Sequence, residues 1–153
     1  MILISACLIG NHCRYDGGGF DRYPDLAHLV EEGKAVPVCP EQLGGLPTPR
    51  PPAELQGGDG KDVLAGKARI TREDGQDVTE AFLAGARETV EIARRYGATS
   101  AILKARSPSC GGKQVYDGSF SGALKPGQGL TAAMLEAEGL ALYDEDDRAP
   151  FSE

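Results

Sequence analysis

Four cysteines, at positions 7, 13, 39 and 110, carry most of the chemistry this sequence can offer; only two histidines, His12 and His28, accompany them. Three of the thiols sit in junctions rich in Gly, Pro and Ser: Ser5-Ala-Cys7, Val38-Cys39-Pro40 and Ser107-Pro-Ser-Cys110-Gly111. Free cysteines are often small buried hydrophobes, but such junctions are poor places for apolar packing. Structural zinc calls for four ligands, usually in close C-x₂-C pairs. Here the nearest two thiols, Cys7 and Cys13, are separated by five residues. A nucleophilic or redox cysteine needs a base, and neither histidine stands in a recognisable motif; His28 suits a solvated or packing residue on an amphipathic helix. Soft sulfur ligands also select iron–sulfur clusters, normally held by four cysteines. Three thiolates would leave one iron open to a substrate. Spacing alone leaves all four possibilities standing.

The elements that would position these residues are short and alternate in type. Apolar runs at Ile2–Ala6, Ala35–Val38, Thr99–Lys104 and Leu140–Tyr143 read as strands. Pro37 places the second at an edge or a strand start. Between them, Leu26, Leu29 and Val30 repeat at helical spacing after Pro24, and Gly33 is a natural stop. The strongest helix runs from Thr79, as its N-cap, to about Tyr96. Its stripe is Phe82, Leu83, Ala86, Val90 and Ala93, and Gly97 ends it. Leu130, Ala133, Met134 and Ala137 mark a last helix ended by Gly139, with Gly127-Gln-Gly129 as its lead-in. Residues 40–66 read as loop, because Pro47, Pro49, Pro51 and Pro52 forbid a continuous helix. Residues 68–72 suggest a short β segment, and a small hairpin is expected around Tyr116-Asp-Gly118. Residues from Asp144 onward are expected to fray.

This alternation predicts an α/β fold, a single-domain three-layer sandwich with a mainly parallel sheet and long functional loops. The domain is expected over residues 1–145, with 146–153 as a flexible acidic tail. In open α/β sheets, ligands gather beyond the carboxyl ends of the strands. Cys7 and Cys39 end two predicted strands, and Cys110 lies six residues past a third. Three thiols from remote parts of the chain are thereby expected at one edge of the sheet.

Composition narrows the partners. A net charge of −7 argues against a nucleic-acid backbone, which needs a basic surface. No apolar run approaches the roughly 20 residues of a membrane helix, and the first residues lack the basic start of a signal peptide. A cytoplasmic location is the default expectation, where cysteines are free, catalytic or metal-bound rather than disulfide-linked.

Several separated strings resemble one family. They are Ser5-Ala-Cys-Leu-Ile-Gly10, Arg14-Tyr-Asp-Gly17, Val38-Cys-Pro-Glu41, Gly45-Leu-Pro-Thr-Pro-Arg50, Lys104-Ala-Arg-Ser-Pro-Ser-Cys-Gly111 and Tyr116-Asp-Gly-Ser-Phe-Ser-Gly122. In this order they are similar to the thiouracil desulfidase family, over nearly the whole chain. The resemblance implies a [4Fe–4S] cluster ligated by Cys7, Cys39 and Cys110, with Glu41 and Ser107 catalytic. It implies non-redox, hydrolytic removal of sulfur, as sulfide, from a small thiolated nucleobase such as 2-thiouracil. Glu41 would exchange a proton with water or the ring, and Ser107 would orient one of them. Cys13 is expected not to be a ligand.

Each residue also has a plainer role available. Glu41 could cap the turn after Pro40, and Ser107-Pro108 is an ordinary turn opener. Arg14 and Asp16 are expected to pair and fix the Gly-rich loop. Arg50 would contact substrate or brace its loop, and Lys104 and Arg106 would offset the charge of an anionic cluster. The rival function is a non-catalytic iron–sulfur or metal-binding sensor.

Overall fold

The apolar runs alternate their side chains between two dry faces, and two sets of helices cover them. A computed structural model describes residues 1–10 and 23–147. In chain order these form β1 (Ile2–Ser5), a 3-10 turn (Ala6–Ile9), α1 (Pro24–Glu31), β2 (Ala35–Val38), α2 (Pro40–Leu43), β3 (Ala53–Gln56) and α3 (Gly60–Leu64). There follow β4 (Arg69–Arg72), α4 (Thr79–Tyr96), β5 (Ser100–Leu103), β6 (Gln114–Tyr116), β7 (Leu124–Pro126), α5 (Leu130–Ala137) and β8 (Ala141–Asp144).

The main sheet has the order β2-β1-β5-β8, and every neighbouring pair is parallel. Pro37 lies on β2, which among the described residues pairs only with β1, so its missing N–H costs no ladder bond on the other side. Leu3, Ala101 and Leu103 face α4 and α5, packing with Val90, Ala93, Ala132 and Leu135. Ile4 and Ile102 point the opposite way, toward Leu26 of α1. The result is the expected three-layer arrangement. A third apolar cluster joins the antiparallel pair β3–β4 to the other end of α4, through Leu55, Ile70, Phe82 and Ala86.

Helix α4 keeps the predicted stripe and stops where expected. Gly97 takes a left-handed conformation (φ 65°) and donates its N–H to Ala93 O. Its start differs from expectation. Thr79 is the first helical residue rather than the cap, and its buried hydroxyl accepts from Ile70 N at 2.8 Å. Val78 stands at the N-cap position, and one residue earlier Asp77 Oδ1 accepts from Thr79 N at 2.8 Å. Residues 40–66 are also more ordered than a loop. They contain α2, β3 and α3, the last with a capping box between Asp59 and Asp62. The predicted hairpin is present as β6–β7.

Asp144 and Glu145 do not fray; they are 6% and 5% exposed. Asp144 Oδ1 accepts from Asp146 N at 2.8 Å, and Glu145 pairs with Lys104 at 3.1 Å; that compensation is what lets acidic residues leave water. Residues 148–153, and the segment 11–22 with His12, Cys13, Arg14 and Asp16, lie outside the described residues. His28 is exposed on α1 and contacts Glu32 at 2.8 Å, as its amphipathic setting suggested. Among the described residues no helix is long and apolar enough to cross a membrane.

Candidate functional site

Three chain segments deliver the cysteines. Cys7 lies in the 3-10 turn that continues β1 and is closed by left-handed Gly10. Cys39 is the last extended residue after β2 and stands at the N-cap position of α2, with Pro40 first in that helix. Cys110 belongs to a tight turn opened by Ser107. The Ser107 Oγ accepts from Cys110 N at 2.7 Å and Ser109 N at 3.1 Å. That turn docks on the start of α5. Leu130 N and Ala132 N donate to the carbonyls of Pro108 and Ser109, and Gly129 N donates to Gly111 O. Helix amides that would otherwise lack partners thus hold the Cys110 turn in place.

All three cysteines line one cavity of about 600 Å³, together with Glu41, Ser107 and Arg50. Glu41, in α2, pairs with Arg50 through Oε2 at 2.7 Å; the Arg50 side chain is only 6% exposed and that of Glu41 17%. Arg50 also donates to Thr48 Oγ1 and Pro47 O, so its guanidinium braces the proline-rich loop and aims the carboxylate. Among the described residues, Glu41 Oε1 accepts no hydrogen bond.

Burial pushes the Cys110 thiol up to about 12, and the charge of Glu41 acts in the same direction. The hydroxyls of Ser5 and Ser109 act oppositely, because a hydrogen bond to sulfur favours the thiolate. The Ser5 Oγ also accepts from Lys104 N at 2.9 Å, which ties that hydroxyl to the end of β5. A buried thiol supplied with two hydroxyl donors suits a sulfur that becomes charged when it binds a metal.

Among the described residues, no three His, Cys, Asp or Glu side chains gather around a point fit for one metal ion. A single tetrahedral zinc, with sulfurs about 2.3 Å from it, would require that crowding. A cubane spreads its ligands over separate corners, so three cysteines lining one cavity suit a cluster.

The structure brings together all five residues singled out in the sequence, with qualifications. Ser107 uses both acceptor positions on backbone amides, as a turn opener does, and among the described residues its O–H donates to no group. Arg106 is exposed at φ 72° and does not line the cavity. Lys104 does line it, but is held by Glu145 at 3.1 Å. Glu145 Oε1 accepts from Ala105 N at 2.8 Å, which fixes the end of β5 just before the Cys110 turn.

Three contributors carried no signal in the sequence. Glu145 looked like part of an acidic tail. Glu54 is buried on β3 and lines the cavity. Gly85 has no side chain to suggest a role, yet it permits α2 to approach α4. Only the Asp59–Asp62 spacing, readable as a capping box, could have revealed order within residues 40–66.

Comparison with known proteins finds relatives along nearly the whole chain. A protein of *Bacillus subtilis* (strain 168) described as uncharacterized protein YbbK is 47% identical over 147 residues, covering 96% of this chain and 97% of that protein. A solved structure described as the [4Fe-4S]-dependent thiouracil desulfidase TudS superposes with a TM-score of 0.87 at 40% identity, over 98% of this chain and 93% of that one. The family model for 2-thiouracil desulfurase matches residues 2–147. A match over this length, in a chain whose Cys7, Cys39 and Cys110 line one cavity, places the chain in the 2-thiouracil desulfurase family.

Proposed function

We propose that this chain removes the sulfur of a thiolated pyrimidine such as 2-thiouracil, using a [4Fe–4S] cluster held by Cys7, Cys39 and Cys110. One observation carries this: three thiols from three strand ends share a cavity with a carboxylate two residues from one of them. The reaction is hydrolytic. A thiocarbonyl and water become a carbonyl and hydrogen sulfide, with no net transfer of electrons.

When bound, the cluster supplies a Lewis-acidic iron without a protein ligand, which polarises the C–S bond. The protein's own groups handle position and protons. Glu41 Oε1 takes a proton from the attacking water while Arg50 holds Oε2 and keeps the carboxylate oriented. Ser107 donates its remaining hydroxyl proton to a ring heteroatom, its oxygen being fixed by two amides. Pro47, Pro51 and Pro52 form an apolar wall that limits competing water.

A net charge of −7 supports a small thiolated base over intact RNA as substrate. Three cysteines that line one cavity, as the thiols of a reduced metal site do, support a reducing, cytoplasmic setting.

Anaerobic reconstitution tests the proposal. The protein is expected to be brown, to hold about four irons and four sulfides per chain, and to release sulfide from 2-thiouracil. A colourless protein with one zinc per chain would overturn the cluster. A loaded cluster that releases no sulfide from any thiolated base would point instead to a sensor.

A further inference from the structure

Phe120 has φ 56°, in the left-handed region that disfavours any residue with a Cβ and suits Gly or Asn. The surrounding chain enforces this backbone. Glu54, 8% exposed, accepts through one oxygen, Oε1, from both Gly118 N (2.9 Å) and Phe120 N (3.2 Å). Gln56 Nε2 donates to Gly118 O at 2.8 Å. Gly118 itself approaches β3 so closely that a Cβ there would lie 2.7 Å from Leu55 O. The tip of the β6–β7 hairpin is therefore stapled down onto β3.

A buried carboxylate and an unfavourable backbone are spent on a position that a turn alone would fill with glycine. What the arrangement achieves is placement of an aromatic ring: Phe120 lines the same cavity as the three cysteines, Glu41 and Ser107. Those polar groups can address the edge of a heterocycle and its sulfur. A planar ring also has two faces, and faces are recognised by stacking.

We propose that Phe120 stacks on the face of the substrate ring and confines the site to flat, unsaturated thiocarbonyl heterocycles over open-chain thioamides. This rests on the desulfidase reading above and names how that site selects its substrate class.

The test uses the reconstituted holoenzyme with Phe120→Asn, which tolerates the backbone and lacks the ring. Phe120→Gly serves as a second ring-free variant, and Phe120→Tyr restores the ring. Sulfide release is measured from 2-thiouracil and from thioacetamide, and 2-thiouracil binding by equilibrium dialysis. The ring-free variants are expected to raise KM and the dissociation constant for 2-thiouracil about tenfold. Their kcat is expected to change little, and kcat/KM for thioacetamide to stay at the wild-type value. Phe120→Tyr should behave as wild type. Wild-type affinity for 2-thiouracil in both ring-free variants would overturn the proposal, as would equal losses with thioacetamide. Wild-type holoenzyme that binds 2-thiouracil but releases no sulfide would sink the desulfidase reading, and the dialysis series would still decide the role of Phe120.

Discussion

Gly85, in the middle of α4, lies face to face with the carbonyl of Pro40: a methyl group at position 85 would fall 1.8 Å from that oxygen. Pro40 separates Cys39 from Glu41, so the contact sets the height of both a proposed ligand and a proposed base above α4. Replacing a helical glycine by alanine normally favours the helix. Here the sign should reverse. Gly85→Ala is expected to cost about 2 kcal/mol by overpacking and to lower iron content, measured by urea unfolding and iron analysis. Stability and iron at wild-type levels would show that α2 moves freely.

Each of Cys7→Ser, Cys39→Ser and Cys110→Ser should fold and lose most of the iron retained by wild type, since all three line one cavity. Cys13→Ser should keep it. Iron analysis of the four variants after identical anaerobic reconstitution separates the two classes, and iron loss from Cys13→Ser would demand a fourth ligand.

Glu41 and Arg50 act as a unit with unequal consequences. Glu41→Gln should retain the cluster and lower turnover of 2-thiouracil by about 10²–10⁴, the usual worth of a positioned acid or base. Arg50→Gln should also reduce stability, by about 1.5–3 kcal/mol, because it removes a charge-assisted bond from a largely buried site. Steady-state kinetics and urea unfolding of both variants check this. Wild-type sulfide release by Glu41→Gln would remove it from the mechanism.

Asp77 gives the fold a pH dependence away from the cavity. The Arg69 guanidinium beside it holds its carboxyl down to about 2, with the Thr79 hydrogen bonds assisting. A carboxylate lowered on folding stabilises the protein above its unfolded value, near 4, and that stabilisation is lost as pH falls toward 2. Asp77→Asn is therefore expected to be less stable than wild type at pH 7. The gap in urea midpoint should narrow as pH falls below about 4. A gap independent of pH would mean that hydrogen-bond geometry, and not charge, is what Asp77 contributes.

The sequence exposed those parts of the fold that short-range patterning controls. The four apolar runs became the parallel sheet, Phe82 to Ala93 gave α4 its buried stripe, and Gly97 stopped it. The cysteines were legible because chemistry restricts where thiols are useful. α2 and β3 were not legible, since no local preference creates them. The first exists because Gly44 and Gly85 let two backbones touch, and the second because β4 pairs with it. The pairing of Arg50 with Glu41 was equally hidden, depending on how a proline-rich loop folds back over α2. Glu145 misled because an acidic residue near a chain end resembles a tail until Lys104 and Ala105 N are seen to meet it.

The order β2-β1-β5-β8 has a consequence for biosynthesis. Cys7 emerges from the ribosome early, yet β5, which leads to Cys110, is translated roughly a hundred residues later. No nascent fragment that ends before Cys110 can present all three sulfurs. A cluster on these three cysteines would therefore assemble only after translation has passed β5 and the sheet that positions its holders can close.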